Sequence, residues 1–234
     1  MTQISTAPIA GQKAGTSGLR RKTRDWMKPH FLENYVQATL NGIGGATGKS
    51  FVLGGDGRYY NAQAIQVILR MLAANGARKV IVGQHGLLST PAASHLIRRM
   101  GTDGGFILSA SHNPGGLDAD FGLKFNMANG GPATESVTDA IYAHTQTLDA
   151  YVITDTPDLD ISQVAELSID TMTIHVVDPV TDYADLMATL FDFNAIRGLF
   201  QTGFRMKFDA MHAITGPYAT RILQDTLGAP DGTV

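Results

Sequence analysis

One short run concentrates reactive side chains: Ser109-Ala110-Ser111-His112-Asn113-Pro114-Gly115-Gly116. A hydroxyl, an imidazole and an amide stand side by side at Ser111, His112 and Asn113, and Pro-Gly-Gly then stiffens and turns the backbone. A bare serine hydroxyl is a poor nucleophile and needs a base or a charged setting. His112 is adjacent, but neighbours in an extended segment point to opposite sides, so a direct Ser111–His112 dyad is not expected. No Gly-x-Ser-x-Gly elbow surrounds the serine, which argues against an esterase-type triad. The plain alternative is a Ser/Asn turn capping the next segment.

Such a run needs an element to hold it. Residues 104–108, ending in Phe-Ile-Leu, read as a buried strand that delivers the serine at its carboxyl end. In open α/β sheets ligands gather there. Further strands are predicted at 50–53 and 80–82, and helices at 31 to about 40, 62–74 and 91–100. Asn75-Gly76 is a helix stop. This alternation predicts an α/β fold with a mixed sheet covered by helices. Residues 1–14 read as a flexible lead-in able to pair as an edge strand. A helix is predicted at 135 to about 148, an irregular acidic stretch at 151–169, a strand at 172–177 and a helix at 184–191.

A second unit is predicted from about Phe193, with one strand at 205–208 and one helix at 218–227. The predicted domains are therefore 1–190 and 191–234. A lone strand has no partner for its backbone groups, so the sequence reads as interrupted at the start of a second, similar α/β domain.

The bulk numbers exclude several functions. The 234 residues are 44% hydrophobic and 17% charged, ordinary for a chain that buries a real core. The formal net charge of −3 gives no electrostatic case for nucleic acid or an anionic membrane as partner. With no cysteine there is no disulfide, thiolate nucleophile or Cys-based zinc site. No apolar run reaches the roughly 18 residues of a membrane span, and the first residues do not read as a signal peptide. The cytoplasm is the expected compartment.

The serine run resembles the phosphoserine loop of the phosphoglucomutases, in the α-D-phosphohexomutase superfamily. Other segments resemble the same family in the same order: Gly15-Thr16-Ser17-Gly18-Leu19-Arg20, Gly54-Gly55-Asp56-Gly57-Arg58-Tyr59-Tyr60, Gly83 to Ala92, Asp120-Phe121-Gly122-Leu123-Lys124-Phe125-Asn126, Asn129 to Ala133, and Asp209-Ala210-Met211-His212. The resemblance implies that Ser111 carries a phosphoryl group and passes it to a hexose phosphate. Glucose 1-phosphate and glucose 6-phosphate then interconvert through glucose 1,6-bisphosphate. It implies that Arg20 braces the phosphoryl group and that Lys124 is an acid/base or charge stabiliser. His112 and Asn113 would shape the loop, and Thr16 and Ser17 would join Arg20, Asn113 and Lys124 in holding phosphate. It also implies Mg²⁺ at the Ser111 phosphate. The metal's carboxylates belong to an Asp-x-Asp-x-Asp loop that this sequence lacks, so negligible mutase activity is expected of the chain alone. A partner is then implied: the C-terminal domains or a complementary chain. The alternative is a non-catalytic remnant or interaction module that keeps the first domain's fold.

Several residues have blander readings. Arg20 opens a basic run with Arg21, Lys22 and Arg24, and such runs are usually solvated. Lys124, between Leu123 and Phe125, reads as the outward position of a strand. Asp118 and Asp120 are tempting metal ligands but match an ordinary loop of the family, and Asp155, Asp158 and Asp160 read as a solvated acidic loop. Gly42 to Ser50 imitates a phosphate-binding loop with the spacing off by one and the helix and strand reversed. Gly54 to Gly57 reads as a tight turn in which Asp56 and Arg58 fix the fold or a domain boundary. Ala213 follows Asp-Ala-Met-His where the family usually has glycine, so a positive φ there would strain it.

Overall fold

Along the third strand Phe51 and Leu53 face one hydrophobic cluster and Val52 the other, the period of two expected of a strand buried on both sides. The computed structural model describes residues 1–15 and 17–234. Strands β1 (Thr2–Ser5) and β2 (Leu19–Lys22) precede helices α1 (Thr23–Trp26) and α2 (Phe31–Gly42). Then β3 (Ser50–Gly55), α3 (Asn61–Ala74), β4 (Lys79–Leu87), α4 (Thr90–Arg99) and β5 (Gly104–Leu108) alternate. They are followed by β6 (Asp120–Met127), α5 (Glu135–Thr145), β7 (Ala150–Ile153), β8 (Ala165–Ile169) and β9 (Met172–Val177). Helices α6 (Thr181–Leu190), α7 (Phe193–Gln201) and α8 (Thr215–Ala219) come last, the final one running into a π-helical stretch at Thr220–Thr226.

Seven strands form one sheet in the order β2-β6-β5-β3-β4-β9-β8. The middle pairings, β5 with β3, β3 with β4 and β4 with β9, are parallel. The outer pairings are antiparallel. One face packs on α2 and α3 through Leu32, Val36, Ile65, Leu69, Phe51 and Phe106. The other packs on α4 through Val52, Ile81, Ile107, Ala93 and Leu96. This is the mixed sheet covered by helices that the alternation predicts. No helix among the described residues is long and apolar enough to cross a membrane.

Three regions differ from the expectation. The stretch 151–169 holds β7, which pairs with β1, and β8, which pairs with β9. Its acidic residues mask strands too short and too exposed to alternate clearly. The basic run after Arg20 is not a free surface stretch but β2, an edge strand paired to β6. Residues 205–208 form no strand. Among the described residues no neighbouring strand is available for them, and an unpaired strand is not a stable element. Beyond Leu190 the chain instead folds as helices around Phe200, Leu227 and Ala229. The helix α7 lies outside the predicted helices at 184–191 and 218–227.

Candidate functional site

The turn after β5 is fixed mostly by backbone groups. Ser111 has φ 59°, a left-handed conformation. Its N–H donates to the hydroxyl of Ser109 at 3.0 Å. The left-handed turn overturns the expected Ser111–His112 geometry. Successive side chains no longer diverge as in an extended strand, and Ser111 Oγ lies 3.3 Å from His112 Nδ1. Both residues are exposed. Among the described residues no side chain hydrogen-bonds the other ring nitrogen of His112, so the pair is not the oriented triad of a hydrolase.

Neighbouring strands bring two cations to the same side. Arg20 of β2 lies opposite Gly122 of β6, and Lys124 lies opposite Ile107 of β5. Residues two apart on β6 share a face, so Arg20 and Lys124 both project from the α4 side of the sheet. The serine loop crosses that same face. A Cβ on Gly122 would sit 2.3 Å from the Ser109 carbonyl oxygen, so only glycine lets the loop lie against β6. Gly18 is equally constrained, since a Cβ there would sit 2.5 Å from Lys124 Cβ. Burial first, and then the Arg20 cation, holds Lys124 below the usual ammonium value, while Asp56 pulls it the other way. Arg20 Nε is buried without a hydrogen-bond partner among the described residues. Gly15 and Gly18 exchange two backbone hydrogen bonds of 3.0 and 3.1 Å, and Ser17 stands exposed in that turn. Thr16, expected to hold phosphate, lies outside the described residues.

The acidic groups around the loop are committed to cations. Asp120 accepts from Lys22 and from the Asn113 amide, each at 2.8 Å, and Asp118 pairs with Arg24. The Lys22 hydrogen bond, helped by Asn113, holds the Asp120 carboxyl below its ordinary value against its partial burial. One of the two Asn113 amide N–H donors is therefore used within the loop's own exit. Asp56 pairs with Arg58 at 2.8 Å, and the Arg58 guanidinium also donates to the carbonyls of Ser111, Asn113 and Asp120. Sequence reasoning placed Asp56 and Arg58 in a fold-fixing turn and missed their grip on the serine loop. Their neighbourhood to the serine turn is a contact across strands that no local pattern encodes.

No group of three or more metal-ligating side chains occurs among the described residues. A phosphate on Ser111 would supply oxygen to a magnesium ion, but the carboxylates Asp56, Asp118 and Asp120 are each neutralised by Arg58, Arg24 and Lys22. These donors do not fit a complete Mg²⁺ site. Asp158 and Asp160 are elsewhere, bonded to Arg70 and to the Ser162 N–H.

Ser109 and Ser111 line a cavity of about 430 Å³, with Asp56 and the start of α4. Its opposite wall is apolar and comes from Ile214, Tyr218, Ile222 and Leu223. Arg20 and Lys124 are not among its lining residues. The backbone strain anticipated at Ala213 falls one and two residues earlier, since Met211 and His212 are the left-handed positions, with φ 49° and 55°.

The pattern described as phosphoglucomutase/phosphomannomutase, alpha/beta/alpha domain I, matches residues 11–152. The chain is 51% identical over 231 residues to a phosphoglucomutase of Rhizobium radiobacter, covering 99% of this chain and 43% of that protein. It is 48% identical over 248 residues to a cytoplasmic phosphoglucomutase of Pisum sativum, covering 100% of this chain and 43% of that one. Plant relatives named chloroplastic match as well. Among solved structures, the phosphoglucomutase pp63/parafusin of Paramecium, in its open form, superimposes with a TM-score of 0.94 at 42% identity, covering 99% of this chain and 44% of that one. The chain thus spans about two fifths of the length of these relatives.

Proposed function

Because the chain belongs to the phosphoglucomutase/phosphomannomutase family, we propose that it carries the phosphoserine half of a phosphohexomutase site. The observation that carries this reading is the exposed Ser111 turn, laid on the sheet face from which Arg20 and Lys124 project. In this reading Ser111 Oγ takes a phosphoryl group from glucose 1,6-bisphosphate and returns it to a glucose monophosphate. Glucose 1-phosphate and glucose 6-phosphate are then the exchanging pair. Phosphoryl transfer spreads charge over the equatorial oxygens, so fixed cations do most of the work. Arg20, projecting from the sheet face that the serine loop crosses, is suited to brace those oxygens. Lys124, with its proton held less tightly than usual, is suited to give or take one from the reacting hydroxyl. The 3.3 Å approach of His112 Nδ1 to Ser111 Oγ supports a role for His112 in accepting the Ser111 proton when a phosphoryl group arrives. Ser17 is suited to meet phosphate at the rim.

Mg²⁺, if bound beside a phosphorylated Ser111, would supply positive charge there, and the carboxylates to hold it are not supplied by the residues around this loop. Sugar recognition and the distal phosphate are assigned to the additional length that the relatives have. Residues 191–234 are read as the opening of a second α/β domain, and the cytoplasm, as in the pea relative's name, is the compartment.

The test is to incubate the purified chain with glucose 1,6-bisphosphate carrying labelled phosphate, then locate the label by peptide mass analysis. Label on Ser111, absent in Ser111→Ala, is expected, with negligible net mutase turnover. An unlabelled Ser111, or label on another residue, overturns the proposal. A second reading, an interaction module, draws on the exposed Leu190, Phe191, Leu199, Phe204 and Met211. Sedimentation that finds only monomer counts against it.

A further inference from the structure

Arg58 is a buried guanidinium whose donors can all be accounted for. Its side chain is 8% exposed and that of its partner Asp56 is 13% exposed. A guanidinium has five N–H donors. Nε donates to Asp56 Oδ1 at 2.9 Å. One Nη2 donor goes to Asp56 Oδ2 at 2.8 Å and the other to the Ser111 carbonyl at 3.1 Å. The Nη1 donors go to the carbonyls of Asp120 at 2.7 Å and Asn113 at 3.4 Å. None is left for a phosphoryl oxygen. Arg20, with its unpartnered Nε, is the contrasting case.

The three carbonyls define what Arg58 holds. Ser111 is the nucleophile-bearing residue in its left-handed turn, Asn113 follows it, and Asp120 is where the loop rejoins the sheet at β6. One planar cation therefore ties the entry, middle and exit of the loop to one point. That point is itself anchored. The Asp56 N–H donates to the carbonyl of Leu108, the last residue of β5, at 3.0 Å.

We propose that Arg58 is a positioning residue, oriented by Asp56, that holds Ser111 in the conformation presenting its Oγ for phosphoryl transfer. The proposal rests on the phosphoserine reading above. A lysine would keep the charge opposite Asp56 but lacks the planar fork needed to reach three carbonyls. Geometry is what matters here, because displacement of a reacting group by about 1 Å can slow transfer about 100-fold.

The experiment compares Arg58→Lys and Arg58→Ala with the unaltered chain in two measurements. One is the rate of Ser111 labelling from glucose 1,6-bisphosphate. The other is amide hydrogen exchange in residues 109–116, with residues 50–55 of β3 as the internal control. Both variants are expected to label about 100-fold more slowly and to exchange faster in 109–116, with 50–55 unchanged. Millimolar methylguanidinium should restore labelling in Arg58→Ala, and methylammonium should not. An Arg58→Lys protein that matches the unaltered chain in both measurements overturns the proposal. So does a loss accompanied by equal deprotection of 50–55, which would make Arg58 a general structural residue. If Arg58→Ala fails to fold, Arg58→Lys decides. If the unaltered chain takes no label, the phosphoserine reading fails, and exchange in 109–116 alone decides whether Arg58 holds the turn.

Discussion

At the scale of single residues the site is assembled by exclusions as much as by contacts. A left-handed serine costs roughly 1–3 kcal/mol, and Ser111 is kept there by the Ser109 hydroxyl and the Arg58 guanidinium. Gly122 is the floor beneath that turn. Gly122→Ala would drive a methyl group into the Ser109 carbonyl, and overpacking of this kind costs about 1–3 kcal/mol. We expect a lower urea midpoint and slower labelling of Ser111; an unchanged labelling rate would show that the loop does not depend on this close approach. Lys124 gives a pH-dependent prediction. Its folded pKa is lowered from 10.5, chiefly by burial. Well below the folded value the lysine is protonated in both states and the burial penalty is full. As the pH climbs through the folded value the native state sheds the proton first, and the penalty is relieved. As the pH rises toward the ordinary lysine value of 10.5, the unaltered chain should therefore gain stability relative to Lys124→Met. Parallel urea midpoints across that range would refute this.

At the scale of elements, α4 and the β2–β6 edge carry the strongest predictions. The Ser89 hydroxyl caps α4 by accepting from the Ala92 N–H at 3.3 Å, with Pro91 in the first turn. Loss of such a cap costs about 1 kcal/mol, so Ser89→Ala should lower the unfolding free energy by that order in a denaturant titration. Trp26 is fully buried, donates its indole N–H to the Phe121 carbonyl at 3.1 Å and meets Phe31, Tyr35 and Phe121 edge-on. Large-to-small changes at such a site cost about 3–5 kcal/mol. Trp26→Ala should therefore detach β2 from its support, read as faster exchange at residues 19–22. The strands β3, β4 and β5 were legible in the sequence because apolar runs such as Phe51-Val52-Leu53 are buried on both faces, and β9 because Met172 to Val177 alternates buried and half-buried residues. The strands β2 and β8 were not, because exposed polar residues break their pattern, and β7, only four residues long, owes its existence to β1 far back in the chain. The site divides the same way. Ser111, Arg20 and Lys124 were visible as motif residues. The Arg58 grip and the Ser111–His112 approach depend on a backbone dihedral and on contacts across strands.

At the scale of the whole molecule, the last 44 residues are tied to the rest through Tyr218. Its side chain packs against α4, and its hydroxyl accepts from the Ser89 N–H at 3.0 Å and donates to the Pro179 carbonyl at 2.7 Å. Tyr218→Phe leaves both groups unsatisfied, at about 1–3 kcal/mol for each buried polar group left alone. Proteolysis within 191–234 is expected to quicken while 50–108 stays protected; equal rates in the variant and the unaltered chain would show that the tie is not needed. The order of pairing in the sheet also fixes an order in time. Leu19 pairs with Leu123 and Arg20 with Gly122, about a hundred positions away. During synthesis the chain emerges from its amino end, so β2 waits unpaired until β6 has left the ribosome, while β3, β4 and β5 already have one another. Long-range pairing of this kind is the slow step of folding. The face from which Arg20 and Lys124 project is thus a latecomer to a scaffold that is already built.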